Sequence, residues 1–367
     1  MSAVRGWCPT AWRPMAAGDG LLVRMRPRLG RLDRDQILGL CAAAVRYGNG
    51  QIDVTNRANL QIRGATDSSW EALVAALVDL ALVDPDPQRE ARRAILVAPN
   101  WQTGDDTYRI ATELEARLAE LPELPGKVGF AIDAGATPIL TTAPADFRIE
   151  RAATGRLILR AEGRETGVAI ALGKEVDALI ALAQWFVATG GAEAGRMARH
   201  TAPLPDWAAG GDHPAPPAAP LAPGRHPLGA AQPLPFGRID AESFMAMLAT
   251  SPASAVRTTP WRLLLIEGAT HIPAPDPLAA TDACVGAPAC PQASVTTRDL
   301  ATRLAPFVAG HLHVSGCAKG CARAAPAAVV LTGRDGRYDL AFDARAGAPA
   351  TRAGLDVRQI LDHFGAA

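Results

Sequence analysis

Four of the six cysteines fall into two close pairs late in the chain, Cys284-Val-Gly-Ala-Pro-Ala-Cys290 and Cys317-Ala-Lys-Gly-Cys321. No other feature constrains the fold as much, because two separate loops must meet if all four sulfurs serve one centre. Four thiolates satisfy the iron sites of a cubane [4Fe–4S] cluster, and soft sulfur ligands suit such centres. Small residues between them let the backbone approach sulfur and donate N–H bonds to it. A zinc site and four unconnected buried cysteines are the competing readings. Structural zinc pairs are usually closer, and neither pair here has the common two-residue spacing, so the cluster is the expectation. Cys41 falls on the apolar face of a helical pattern and reads as core. Cys8 lies in a Trp/Pro-rich loop that suits either an active-site position or packing.

The rest of the chain repeats itself. Alternating apolar residues in Leu21-Leu-Val-Arg-Met-Arg26 predict a strand. Asp33 then caps a helix with Ile37, Leu40, Cys41 and Ala44 on one face and Gly48 near its end. Strands fit Gln51 to Thr55 and Leu60 to Arg63. A second helix from Thr66 carries Trp70, Leu73, Val74, Leu77 and Leu80. Gly30-Arg-Leu-Asp33 returns as Gly237-Arg-Ile-Asp240, followed by a helical pattern with Phe244, Met247 and Leu248. Thr55 and Gly64-Ala65 return as Thr259 and Gly268-Ala269. Only a three-residue change separates the spacings of these anchors, as a shortened loop would produce. A larger α/β unit follows each copy. Helices around Ile110–Leu118 and Leu300–Val308 precede strands Lys127–Asp133 and His311–Ser315. Further strands and a closing helix (Lys174–Ala188; Val357–Phe364) end each unit. The common order implies internal duplication in an α+β chain. Between the copies, residues 202–235 are crowded with Pro, Ala and Gly and read as a linker over the surface.

Composition removes several function classes. With 37 basic and 37 acidic residues, no overall positive charge drives nucleic-acid binding. The opening residues lack the apolar core of a signal peptide. The longest apolar candidate, Ala72 to Val83, is too short for a membrane span and carries Asp79. No membrane association and a cytoplasmic location are the expectations. In that compartment cysteines serve as thiols or metal ligands rather than in disulfides.

A second constellation is polar. In Thr55-Asn-Arg57-Ala-Asn59-Leu-Gln61-Ile-Arg63, cationic and amide side chains cluster about one strand–turn–strand unit. Arginine offers paired donors to carboxylate and stays protonated, while Asn and Gln donate or accept without adding charge. Several such groups on one face suit a substrate bearing many carboxylates. A solvated strand residue is the plainer alternative for any one of them.

Together, these motifs resemble the siroheme sulfite and nitrite reductases. The cysteine pairs match that family's cluster motif, and Thr55–Arg63 looks like its tetrapyrrole-contacting segment. Arg93 before Ile95-Leu96, and Lys127 in Leu124-Pro-Gly-Lys127, are similar to two basic positions around its active face. A lysine expected two places after Lys127 is instead Gly129, one cation fewer for an oxyanion substrate. Within that superfamily the likeness is greatest to the precorrin-3B synthases of the aerobic cobalamin pathway. It rests on Arg5-Gly-Trp-Cys-Pro-Thr-Ala-Trp-Arg-Pro-Met15, Gly18-Asp-Gly-Leu-Leu-Val-Arg24 and Leu312-His-Val-Ser-Gly-Cys-Ala-Lys-Gly-Cys321, and covers nearly the whole chain outside the linker.

The resemblance implies ferredoxin-like half-domains at 1–85 and 236–275, and α/β domains at 86–201 and 276–367, the last carrying the cluster. It implies a monooxygenase that takes precorrin-3A, dioxygen and electrons to a hydroxylated lactone. Thr55, Arg57, Asn59, Gln61, Arg63, Arg93 and Lys127 become candidates for substrate binding. Cys284, Cys290, Cys317 and Cys321 become the cluster ligands. A mononuclear non-haem iron is also implied, although no two-His-one-carboxylate set stands out; His313, alternating with His311 on one strand, reads as an ordinary strand histidine. No glycine-rich nucleotide loop is evident, so an external reductase or ferredoxin supplies electrons. No general acid or base is identifiable. A siroheme-dependent sulfite or nitrite reductase and a non-catalytic iron–sulfur carrier are the alternative functions.

Overall fold

Local signals begin the architecture. In the computed structural model, which describes residues 8–271 and 276–366, Asp33 caps the helix Arg34–Tyr47 with a reciprocal bond to Gln36. Thr66 caps Asp67–Asp79 with Ser69 in the same way. The apolar faces of both helices, through Ile37, Leu40, Leu73 and Leu77, pack on the antiparallel strands Gly20–Met25, Leu60–Ala65 and Gln51–Val54. In the second copy, Asp240 caps Ala241–Ala249, and the strands are Gly229–Pro233, Leu263–Glu267 and Ala255–Thr258.

Each of these sheets has five strands, and each takes its fifth from the other copy. Arg238–Asp240 pairs with Gln51–Val54, setting Arg238 opposite Asp53. Arg31–Asp33 pairs with Ala255–Thr258, setting Arg31 opposite Arg257. The exchange joins both copies over one core, in which Leu32, Ile37 and Ile52 meet Ile239, Phe244 and Val256.

The backbone repeats as faithfully as the pairing. Left-handed residues recur at equivalent places: Leu29 and Phe236 (φ 51° and 56°), Ala58 and Arg262 (55° and 58°), Gly64 and Gly268 (75° and 76°). Non-glycine residues rarely adopt positive φ, so shared outliers are stronger evidence of duplication than shared residue types.

The two α/β units also share one topology. In the first, Ile95–Val97, Phe130–Asp133 and Phe147–Arg151 run parallel, followed by antiparallel Leu157–Ala161 and Val168–Ala169. In the second, Thr281–Ala283, Leu312–Ser315 and Ala327–Arg334 run parallel, followed by antiparallel Arg337–Ala344 and Arg352–Leu355. The helices Asp106–Ala116 and Arg298–Leu304 make the parallel crossovers.

The expected linker needs a correction. Its first part does run along the first α/β unit, bridging Gly167 to Asp212 and Ala152 to Pro214. Its last part is not a spacer, because Gly224–His226 and Gly229–Pro233 form the hairpin of the second five-stranded sheet. Ala and Pro at those positions hide the alternation that marks the equivalent hairpin near residue 20.

Candidate functional site

Parallel strand order carries the cysteines together. Thr281–Ala283 and Leu312–Ser315 are adjacent parallel strands, so the loops leaving their carboxyl ends emerge at one edge. Cys284 begins one loop and Cys317 lies in the other. The Gly316 amide donates to Cys284 Sγ at 3.2 Å, and the Ser315 hydroxyl donates to the Cys317 carbonyl at 2.7 Å. At the foot of the first loop, Thr297 Oγ1 donates to the Cys284 carbonyl at 2.5 Å. Gly286 is left-handed, and a Cβ there would lie 2.6 Å from Thr297 Oγ1; a Cβ on Gly316 would lie 2.5 Å from that of Ala293. The loops therefore pass too closely for side chains at either glycine.

All four cysteines are free thiols lining a cavity of about 480 Å³. Desolvation by the cavity wall raises the Cys321 pKa, although the residue as a whole is exposed; Lys319 opposes the rise, and Cys284, Cys317 and Cys290 add to it. Among the described residues, no three His, Cys, Asp or Glu side chains converge closely enough for a single metal ion. Four soft donors line one cavity. With a backbone N–H already aimed at one sulfur, this donor set fits a cubane cluster better than zinc. The same observation leaves an isolated non-haem iron without a ligand set among the described residues.

Opposite the cysteines stands the sheet of the first copy. Arg24 and Gln61 are register partners, and Arg24 donates to Gln61 Oε1 from Nε at 2.9 Å and Nη2 at 2.6 Å. The same guanidinium shares a small void with Cys8, and burial lowers its pKa to about 10. Two residues on, Arg63 shares the Gln61 face. It makes two 2.8 Å bonds to Asp19 and one of 3.2 Å to Asp53. Against the cost of burial, these carboxylates raise the Arg63 pKa above its ordinary value.

The sequence-predicted binding residues are divided among different places. Thr55, Gln61 and Arg63 line the cysteine cavity. Thr55 also shapes the turn, its hydroxyl accepting from the amides of Arg57 at 3.3 Å and Asn59 at 3.1 Å. Arg57 and Asn59 line a smaller void with Cys8 and Arg26, and Arg24 forms part of both walls. Arg57 Nη1 donates to the Lys127 carbonyl at 2.7 Å; the half-buried Lys127 lines neither space. Arg93 is directed away into a buried group, bonding Glu90 at 2.9 Å beside Arg26. His313 is fully buried beneath the second cysteine loop, and burial lowers its pKa to about 4. Arg5, Gly6 and Trp7 of the opening motif lie outside the described residues.

Sequence reasoning missed Arg24, Asp19, Asp53 and Arg298. A signal existed for Arg24, since a charged residue in an apolar alternation marks a functional face. None existed for Arg298, which reads as the solvated start of a helix until the fold swings it over the cavity.

Comparison with known proteins bears on the fold and the family. Residues 13–80 match the nitrite/sulfite reductase ferredoxin-like half-domain family. The structure of the Mycobacterium tuberculosis NirA protein superposes with a TM-score of 0.59 at 16% identity, over 94% of this chain and 79% of that one. That likeness concerns the fold. A curated precorrin-3B synthase from Sinorhizobium sp. is 31% identical across 93% of this chain and 83% of its own length. The chain belongs to the precorrin-3B synthase family. Its membership places an α+β reductase-type scaffold, with two halves exchanging strands, in a family of enzymes of cobalamin synthesis. Among the described residues no helix is long and apolar enough to cross a membrane.

Proposed function

We propose that this chain is a precorrin-3B synthase-type monooxygenase, converting precorrin-3A with dioxygen and two electrons to a product one oxygen atom heavier. The product carries a hydroxyl at the meso carbon between rings A and D and a lactone from the ring A acetate; the second oxygen atom leaves as water. The carrying observation is one cavity with two unlike walls: four free cysteines on one side, and Arg24, Gln61 and Arg63 on the other. A carrier protein has no use for the second wall.

Cys284, Cys290, Cys317 and Cys321 would hold the [4Fe–4S] cluster. Bound there, it supplies single electrons, which dioxygen needs because its spin state disfavours direct reaction with a closed-shell substrate. The remaining groups bind and orient. Arg24 presents charge to substrate carboxylates from the cavity wall, beside Gln61, whose Oε1 it holds with two bonds; Arg57 adds charge from the adjoining void. Arg63, already engaged by two carboxylates, stiffens that wall. Electrons come from a separate reductase or ferredoxin, and cytoplasmic residence follows from that partnership.

The siroheme reductase reading is disfavoured at Gly129. A Cβ there would lie 2.8 Å from the Ala94 carbonyl oxygen, so the backbone leaves no place for a second lysine. The test is anaerobic purification followed by reaction. The protein should show cluster absorbance without siroheme bands. With precorrin-3A, an electron donor and labelled dioxygen, it should place the label in the new hydroxyl. Tightly bound siroheme with rapid sulfite or nitrite turnover would overturn the proposal.

A further inference from the structure

Internal duplication supplies a control for the charged groups of the cavity. Across the exchanged strands, Arg31, Arg257 and Glu267 occupy the places that Arg238, Asp53 and Arg63 occupy in the other copy. In the first set every arginine is spent. Arg31 forks onto Glu267 at 3.0 and 2.8 Å. Arg257 bonds Glu267 and the carbonyls of Pro99 and Trp101, and stacks 3.9 Å over the Trp101 ring.

The other set is unfinished. Asp53 is the shared acceptor for Arg63 at 3.2 Å and Arg298 at 3.4 Å, with Arg238 farther off at 3.7 Å. Arg298 enters from the second α/β unit and stands 5.8 Å above the Phe236 ring. Its Nε and Nη1, and the Nε of Arg238, are buried without a hydrogen-bond partner. Arg298 and Phe236 both line the cysteine cavity. Buried guanidinium nitrogens without acceptors are costly and rare. Here they lie just behind the wall of a large cavity that the rest of the Arg298 side chain lines, and burial lowers the Arg298 pKa to about 10.

We propose that Arg298 is a specificity-determining residue that receives one carboxylate of the bound tetrapyrrole, with Asp53 and Phe236 holding its guanidinium in place. The assignment rests on the tetrapyrrole reading above and goes beyond it by naming the anchor on the cluster side. A planar, charged donor favours a carboxylate over a neutral amide.

The experiment uses the cluster-loaded protein under nitrogen and two metal-free tetrapyrrole probes, one with free carboxylates and one with all of them amidated. Binding is followed by quenching of probe fluorescence. Wild type should prefer the acid. Arg298→Gln should bind the acid about 10- to 100-fold more weakly, with amide affinity unchanged and iron content intact. Arg298→Lys, which keeps the charge but not the fork, should recover part of the loss. Wild-type acid affinity in Arg298→Gln, or equal losses for both probes, overturns the anchor while leaving the tetrapyrrole reading in place. Failure of wild type to bind either probe overturns both.

Discussion

The Gly18 amide donates to the Ala289 carbonyl at 2.9 Å, tying the first hairpin of one copy to the cysteine loop of the other. The approach leaves no room for a methyl group, since a Cβ on Gly18 would lie 1.9 Å from the Pro288 carbonyl oxygen. Gly18→Ala should therefore displace the loop that carries Cys284 and Cys290, at a cost of about 1–3 kcal/mol. Iron and acid-labile sulfide per chain should fall, and the melting temperature with them. Unchanged values in both measurements would show that the contact is dispensable.

Cluster ligation is tested directly by Cys317→Ser and Cys321→Ser. Each should lose the broad brown absorbance and the activity together, with wild-type protein carrying about four irons and four sulfides. Stoichiometric zinc without labile sulfide would rule out the cluster.

Arg57 and Arg63 should separate binding from stability. Arg57→Ala removes a charge whose single hydrogen bond among the described residues goes to a backbone carbonyl, so it should weaken substrate binding by about 1.5–3 kcal/mol with little loss of fold stability. Arg63→Ala takes from Asp19 its cationic partner and from Asp53 one of three, and should cost about 3 kcal/mol of stability before any effect on affinity. Denaturant midpoints alongside binding titrations distinguish the two; the reverse ranking would exchange the roles assigned to them.

His313 makes the cluster-free protein acid-sensitive. It faces Asp282, Arg323, Arg262 and His311, and burial is the main cause of its fall from 6.5 to about 4. The unfolded chain binds the proton between these values and the native one does not, so stability is complete above about pH 6.5 and declines as pH falls towards 4. The loss approaches about 3 kcal/mol. His313→Leu should flatten this part of the pH profile of urea midpoints. An equally steep profile in the variant would assign the sensitivity to other groups.

Elements with local instructions were legible before the fold was seen. Asp33 and Thr66 cap helices where the sequence starts them, and the last helix spans Val357–Phe364 as expected. What escaped depends on distance along the chain. Nothing near Arg238 announces Asp53 as its partner, because the pairing crosses almost two hundred residues. The hairpin at Gly224–Pro233 escaped because small side chains carry no pattern. Within the site, the four cysteines were legible as one set through their spacing. Arg93 was expected at the site through its likeness to a basic position of the family, and that likeness says nothing of Glu90, the carboxylate that holds it.

The exchanged strands also decide when the protein can become itself. On a ribosome, the first five-stranded sheet has an open edge until Arg238–Asp240 has left the exit tunnel, more than 170 residues after the sheet's own last strand, Leu60–Ala65. The first copy cannot close as an independent domain during synthesis, so a nascent chain must keep the Gln51–Val54 edge from pairing with another chain. For the same reason a gene split inside the Pro-rich stretch would yield two fragments, each missing a strand that only the other can return.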